Sequence, residues 1–267
     1  MKYTAQIRNC FRRSRFGRQA RILQSALIGA LLLSPVVSLA AISPSEIMER
    51  VEEQRRSESS RSRMTMLVYP DANSERDVRE FNIITYGRGQ DDSYMEFVSP
   101  RSIQGLRVLD LDGATRVYFP STGRVRNITG RSRSGSVGGV GGDFSYEDMG
   151  GGSLLETYGE FQLKEEQGDV YVVSAVPTDP DSSYSRVILY VDKDTYTTSR
   201  VEYFENGSEP SKVLTTSRVR VVSGRNVPTE MVMENLERRS RTVIRIHDIA
   251  FDGPVDARLF HPNRFYR

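Results

Sequence analysis

Residues able to form a catalytic or metal centre are scarce in this sequence of 267 residues. The only histidines are His247 and His261, and the only cysteine is Cys10. None of the spacings H-E-x-x-H, H-x-H or C-x-x-C occurs, so no zinc- or iron-binding pattern is visible. A G-x-S-x-G segment is also missing, which leaves acyl transfer without a recognisable nucleophile. We therefore predict no catalytic residue, no metal site, no cofactor and no enzymatic activity.

Carboxylates are plentiful, and glycosidases use such residues in pairs. Each group of acids lies beside Gly, Ser or Pro, where turn formation explains it at least as well as acid–base chemistry does. These groups are Asp91-Asp92, Asp110 with Asp112, Glu147-Asp148, and Asp179 with Asp181. A glycosidase is thus an alternative that no other sequence feature favours.

Flexible apolar side chains are a more distinctive feature of the sequence. Methionine adapts to varied apolar shapes, and five methionines occupy segments in which apolar and polar residues alternate. Ordinary core packing is the alternative for each of them. Together with three neighbouring apolar residues, they are the candidate lining of a lipid-binding cavity: Met64, Met66, Met95, Phe97, Val117, Phe119, Met231 and Met233.

The elements that carry these residues are predicted to be strands. Met64, Met66 and Val68 share one strand face, and similar two-residue alternation recurs up to about residue 246. Turn signals such as Asn206-Gly207 separate the segments. About ten or eleven strands of this kind predict a mainly β fold, in which a large antiparallel sheet curls on itself.

One helix is predicted before the first strand. Ser43 can cap it, Pro44 suits its first turn, and Glu46 completes a capping box. Ile47 and Val51 mark an apolar face up to about residue 55. We expect this helix, with few others, to fill or cap the concave side of the sheet.

A glycine-rich segment at about residues 131–152 interrupts the strand pattern. Glycine lowers the barrier to backbone rearrangement, whereas Phe144, Tyr146 and Met149 are too apolar for a plain linker. We predict a short helix or lid hinged by glycine and capped by Ser145, and a disordered loop is the alternative. The glycine spacing does not match a phosphate-binding loop.

Residues 1–40 differ in composition from the rest of the chain. They contain seven basic residues and no acid, and an apolar run from Ala26 to Leu33 precedes Pro35. This order is typical of a signal peptide, with cleavage predicted after Ala40. An uncleaved anchor helix is the alternative, although the apolar stretch falls short of the ~20 residues that a membrane span needs.

Cleavage would change the charge of the chain that functions. The whole sequence has a formal net charge of +2, and loss of the seven basic residues of the leader makes it −5. Nucleic-acid binding then loses its only compositional support. Cys10 leaves with the leader, and the predicted compartment is extracytoplasmic.

Several segments resemble the LolA/LolB-like superfamily of periplasmic lipoprotein carriers, in particular its outer-membrane lipoprotein-sorting subgroup. The most specific block is Asp143-Phe144-Ser145-Tyr146-Glu147-Asp148. Others are Phe97–Gly105, Arg116–Arg126, Glu202-Tyr203-Phe204 with Lys212, and Arg241 to Phe260. Arg116 stands where the subgroup usually has an aromatic residue, and glycines replace bulkier residues before Asp143.

The resemblance implies a single domain over residues 41–267, built as an incomplete β-barrel that wraps over helices and encloses an apolar cavity. It implies a periplasmic carrier of acylated lipoproteins or lipids, served by an inner-membrane transporter and an outer-membrane acceptor. The alternative is a regulatory or adaptor module that senses lipoproteins or lipids and contacts an envelope signalling or transport protein. The hairpin that carries Arg116, Arg124 and Arg126 could bind a lipid phosphate or an acidic partner.

Overall fold

The computed structural model describes residues 42–137, 140–149 and 152–267, so the predicted leader lies outside the described residues. Three α-helices occur in this part of the chain: α1 (Pro44–Arg55), α2 (Tyr146–Met149) and α3 (Leu154–Thr157). The strands are β1 (Ser59–Tyr69), β2 (Arg79–Arg88), β3 (Asp92–Ser99), β4 (Arg107–Leu111), β5 (Ala114–Phe119), β6 (Arg124–Ile128), β7 (Tyr158–Gln167), β8 (Val170–Pro177), β9 (Arg186–Asp192), β10 (Thr198–Phe204), β11 (Lys212–Val222), β12 (Arg225–Asn235) and β13 (Ser240–Phe251).

All thirteen of these strands belong to one antiparallel sheet. Its order is β6-β5-β4-β3-β2-β1-β13-β12-β11-β10-β9-β8-β7, so two meanders join where β1 pairs with β13. In the described part of the chain β6 and β7 are the two edges, and the sheet does not close into a barrel. The predicted mainly β, antiparallel and incompletely closed fold with few helices is confirmed.

The sheet has more strands than the ten or eleven predicted, because three of them lack a clear alternating pattern. β4 and β6 are only five residues long, and β6 is exposed over most of its length. β7 contains Glu160 with a φ of 51° and two register shifts against β8. Such bulges break the two-residue period that identifies a strand in sequence.

Helix α1 packs on the concave face of the sheet as predicted. Ser43 accepts a hydrogen bond from the Glu46 amide at 3.1 Å and caps the helix. Ile47, Met48 and Val51 are fully buried in a core formed with inward-facing residues of both meanders. The apolar face of the helix, which repeats every 3.6 residues, thus packs in a single core with the strand faces, which repeat every two residues.

A long connection links the two edges of the sheet. The described residues between 129 and 157, which we call the strap, lie between β6 at one edge and β7 at the opposite edge. Val137, Val140, Phe144 and Tyr146 of the strap are buried in the same core as α1. The connection therefore passes over the concave face and fills part of it.

Asp143 fixes the strap to the end of β13. Its buried carboxylate accepts hydrogen bonds from Ser240 Oγ, from Thr242 Oγ1 at 2.8 Å and from Arg238 at 2.6 Å. A Cβ on the preceding Gly142 would lie 3.2 Å from Thr242 Oγ1, so glycine allows this close approach. A buried carboxylate needs such a complete set of donors, since burial without them is unfavourable.

A second polar anchor holds α2, and Asp148 is its centre. One Asp148 oxygen accepts from Lys212 Nζ at 3.1 Å and the other from the Tyr184 hydroxyl at 2.7 Å. Lys212 also donates to the Tyr184 oxygen at 2.8 Å. Ser145 caps α2 as predicted, exchanging hydrogen bonds with Asp148. The side chain of Asp148 is 1% exposed, so the strap is fixed by a buried ion pair.

Glu147 extends this anchor to the loop between β8 and β9. Its carboxylate accepts from the Ser182 hydroxyl and from both the hydroxyl and the amide of Ser183. Glu147 and Asp148 are consecutive in sequence, and their carboxylates thus accept the hydrogen bonds that hold this part of the strap in place.

The C-terminal residues cover the opposite face of the first meander. Phe260 and Phe265 are buried against Tyr94 and Leu109, which point away from the main core. Tyr266 stacks on Tyr118 with ring centroids 5.2 Å apart. Strands β3, β4 and β5 therefore have packed side chains on both faces.

We expect Phe265→Ala to lower the free energy of unfolding by about 3 to 5 kcal/mol, because it empties a fully enclosed aromatic site. Urea denaturation followed by circular dichroism measures the change, and the exposed Arg267→Ala serves as the control. An equal midpoint for Phe265→Ala and wild type would show that the C-terminal segment does not stabilise the sheet.

A second prediction concerns the buried ion pair between Asp148 and Lys212. Asp148→Asn and Lys212→Met should each destabilise the protein by about 3 kcal/mol, since each leaves one buried charge unpaired. The double variant should lose about 1 to 3 kcal/mol less than the sum of the two. Arg63→Met, which breaks an exposed ion pair with Asp248, should change stability by less than about 1 kcal/mol. Additive losses in a urea double-mutant cycle would contradict the assigned contact.

Candidate ligand-binding cavity

A cavity of about 520 Å³ opens between α1, the end of the strap and the second meander. This volume lies within the range of sites for small molecules. Its floor is formed by strands β9 to β12, and its walls by α1, α3 and the acidic side of α2. The cavity therefore lies where the strap leaves the concave face uncovered.

The floor follows from the register of β10 and β11. Val201 pairs with Leu214, and Tyr203 pairs with Lys212, so these side chains share the concave face. Thr216 pairs with Met231 on the next strand and continues the same surface. The resulting floor is apolar along most of its length and ends in tyrosine at one side.

The wall opposite the floor is made by α1 and α3, and Glu52 joins the two helices. This buried glutamate accepts from the Leu154 amide at 2.8 Å and from the Gln90 side chain at 2.8 Å. Ser153 caps α3 by accepting from the Leu155 amide. These contacts fix the positions at which Val51 and Leu154 line the cavity.

Acidic groups outnumber basic groups in the lining. Arg133 is paired with Asp179 at 2.9 Å, and Asp148 is paired with Lys212 behind the wall. The charged lining residues are Arg55, Arg133, Asp91, Asp112, Glu147, Asp148, Glu156 and Asp179. With six carboxylates against two guanidinium groups, the cavity is a poor site for an anion.

Two tyrosines add hydroxyl groups to this lining. Burial is the main reason why the pKa of Tyr203 is raised far above its usual value, and the neighbouring Tyr158 and Asp148 raise it further. Burial also raises the pKa of Tyr158, with further contributions from Asp148 and Glu147. Both phenols therefore stay protonated and can donate hydrogen bonds at any physiological pH.

Only one of the eight predicted cavity residues lines this cavity, namely Met231. Met66, Phe97, Val117 and Met233 are fully buried in the core. Met64, Met95 and Phe119 are partly buried and pack against that core. The structure therefore brings the eight residues to the concave face but leaves most of them beneath α1 and the strap.

The predicted lid residues face away from the cavity. Phe144 and Tyr146 are buried in the core, and Met149 packs against it. Tyr146 and Met149 meet Met95 of the first meander in a narrow cleft. The strap borders the cavity through Glu147, Asp148 and α3 instead. The glycine pairs 138–139 and 150–151 lie outside the described residues.

Sequence reasoning missed the residues that form most of the floor. Alternating apolar and polar residues predict the strands that carry this floor, but nothing local distinguishes the floor residues from core residues. These residues are Leu189, Val201, Tyr203 and Leu214. The useful signal was the pair of a tyrosine and a lysine, Tyr203 and Lys212, which the family resemblance brought together. Their direct pairing in neighbouring strands places a polar group at the end of an apolar floor.

The acidic residues near turns mainly accept hydrogen bonds that stabilise those turns. Asp110 accepts from Thr115 Oγ1 and from the Gly113 amide, although burial raises the pKa of this carboxyl. Asp179 accepts from the Asp181 amide at 2.9 Å. Among residues 42–137, 140–149 and 152–267, no group of three His, Cys, Asp or Glu side chains is arranged to hold a metal ion. No helix within those ranges has the length and apolarity to cross a membrane.

Solved structures with a similar fold provide the first comparison. A protein from Vibrio parahaemolyticus, described as an outer membrane lipoprotein-sorting protein domain, matches with a TM-score of 0.72 and 22% identity over 84% of this chain and 100% of that one. A DUF1329 family protein from Desulfovibrio piger matches with a TM-score of 0.74 and 24% identity over 82% and 96%. A LolA superfamily protein from Nitrosomonas europaea has a TM-score of 0.69 and 18% identity over 84% and 99%.

Sequence comparison gives the family. No curated protein sequence matches the chain. A family model described as "Uncharacterized protein" matches residues 89–267, which is more than half of the sequence. The resemblance drawn from the sequence is confirmed at the level of fold: the chain belongs to the family of that model and has the fold of the LolA superfamily and the outer membrane lipoprotein-sorting domains.

Proposed function

We propose that this protein is a non-enzymatic periplasmic carrier that binds the acyl chain of a lipoprotein or lipid for transfer toward the outer membrane. The observation that carries the proposal is the cavity of about 520 Å³ with an apolar floor. Small β-barrels hold apolar ligands in their mouths, and the concave side of this open sheet offers a comparable space. The lipoprotein-sorting description of a structural relative supports the same assignment.

Burial of methylene groups would supply the binding energy, at about 0.8 kcal/mol for each. Val51, Leu189, Val201, Leu214 and Met231 would provide the apolar contacts. Ordering of the chain offsets part of this gain. Release requires a partner that draws the acyl chain out of the cavity, because the hydrogen bonds of Asp143 and Asp148 hold the strap in place beside it.

Location and domain organisation belong to the same proposal. We assign residues 1–40 to a signal peptide cleaved after Ala40, and residues 41–267 to one LolA/LolB-like domain. An inner-membrane transporter would load the carrier and an outer-membrane acceptor would receive its cargo. The net charge of −5 that remains after cleavage opposes adsorption to anionic bilayer surfaces.

The sequence contains no tryptophan, so a single introduced tryptophan reports on its own surroundings. We expect the fluorescence of Leu214→Trp to be quenched by a lysophosphatidylcholine that carries bromine atoms on its ester-linked acyl chain, because Leu214 lines the cavity. A matched variant, Val221→Trp, places the indole on an outer position that is 72% exposed. Its emission should not respond to the same ligand.

The result also depends on chain length. Each loss of two methylenes should weaken binding to Leu214→Trp about tenfold, by the energy of methylene burial. Equal quenching of the two tryptophan variants, or affinity independent of chain length, would contradict the carrier function.

An adaptor that senses lipoproteins is the second candidate, and the open edge β6 favours it. Its residues are exposed except for the half-buried Ile128, and edge strands can pair with an extended segment of a partner. Arg124 and Arg126 lie on the same face of this strand. The Arg126 guanidinium is 5.3 Å from the centre of the Phe119 ring. An acidic extended segment would complement this edge.

A photocrosslinker at Val125 tests the adaptor function in cell envelopes. A specific partner should give one adduct that disappears when Arg124 and Arg126 are both changed to Glu. The crosslinker at Val221 is the control for nonspecific contact. An adduct that survives the charge reversal, or that forms equally at Val221, would exclude the proposed edge interaction.

A further inference from the structure

Tyr203 and Tyr184 are neighbouring tyrosines with different polar surroundings. Their ring centroids are 4.8 Å apart. The Tyr184 hydroxyl donates to Asp148 and accepts from Lys212, so its bonding capacity is used within the protein. Tyr203 is 8% exposed, and its hydroxyl has no hydrogen-bond partner among the residues that the structure describes. A phenol in this position normally has a partner.

The cavity supplies the direction in which that partner must lie. Tyr203 is one of the lining residues, and the polar network behind it is already complete. The raised pKa of Tyr203 keeps its phenol protonated, and its place in the lining lets the hydroxyl donate a hydrogen bond to a ligand in the cavity. A ligand that enters the cavity can therefore supply an acceptor for this hydroxyl.

The charge of the lining selects the kind of acceptor. Asp148 and Glu147 raise the pKa of Tyr203 and Arg55 lowers it, so two carboxylates act on this hydroxyl against one guanidinium group. A ligand carboxylate or phosphate placed there would be repelled by the same groups. A neutral carbonyl oxygen accepts a hydrogen bond without adding charge.

The apolar floor extends from this point along the sheet. Val201 and Leu214 follow Tyr203 on the concave face, and Thr216 and Met231 continue the surface. A chain of methylenes attached to the carbonyl carbon can lie along this floor. The order of a polar end and an apolar track matches an acyl group, in which a carbonyl heads a hydrocarbon chain.

We propose that the Tyr203 hydroxyl donates a hydrogen bond to the carbonyl oxygen of a neutral acyl ester or amide, so that the cavity recognises acyl linkages rather than hydrocarbon chains alone. This inference rests on the proposed acyl-chain binding and assigns its polar contact. Tyr203 is a specificity-determining residue in this scheme. Free fatty acids and ether-linked chains are the disfavoured ligands.

The test compares two lysophosphatidylcholines with sixteen-carbon chains, one ester-linked and one ether-linked, which differ in the carbonyl group. Each displaces a fluorescent acyl probe from the mature protein. The wild type should bind the ester about fivefold more tightly, as expected for one neutral hydrogen bond. Tyr203→Phe should lose this preference and bind the ether analogue as the wild type does.

Tyr190→Phe is the matched control, since Tyr190 neighbours Leu189 on β9 but points to the other face. This variant should keep the preference for the ester. The urea midpoint of Tyr203→Phe should equal that of the wild type, because the hydroxyl has no internal partner to lose.

The possible results separate the two proposals. Equal binding of ester and ether by the wild type would overturn the carbonyl contact and leave the carrier function intact. A preference that persists in Tyr203→Phe would overturn the assignment to Tyr203. Failure of the fluorescent acyl probe and of both lipids to bind would overturn the carrier function itself.

Discussion

The constraint on which this structure depends is the position of the two sheet edges. The first meander ends at β6, and the second begins at β7 on the opposite side of the thirteen-stranded sheet. The chain must therefore cross the sheet, and the strap takes the concave side. Asp143 and Asp148 hold it there with buried hydrogen bonds to residues of the second meander. Breaking either anchor would leave a buried carboxylate without donors, so the crossing has one stable course.

This course decides which part of the concave face is core and which part is cavity. Val137, Tyr146 and Met149 of the strap fill the space above the first meander. Over the second meander, α1, α3 and the acidic side of α2 border a space that they do not fill, and this space is the cavity. The methionines of β1 and β3 consequently pack as core residues, whereas Met231 on β12 lines the open space.

The elements that could be predicted are those with local signals. Ser43, Pro44 and Glu46 define the start of α1 within a few residues, and two-residue alternation assigns faces to most strands. The location of the cavity has no local signal, because it depends on where the strap crosses. Asp148 and Lys212 are 64 residues apart in sequence, and no periodicity connects them. The alternation that identifies an inward-facing methionine is the same whether the methionine meets a helix or an empty space.

The same distinction explains the two tyrosines at the boundary between core and cavity. Tyr184 completes a network with a carboxylate and an ammonium group, and this network needs no further ligand. Tyr203 stacks on it from the cavity side and keeps a free hydroxyl among the described residues. Because Tyr203 lines the cavity and its phenol stays protonated, this arrangement places a hydrogen-bond donor where an acyl carbonyl can accept from it. The anchor of the strap thus also forms the polar end of the site.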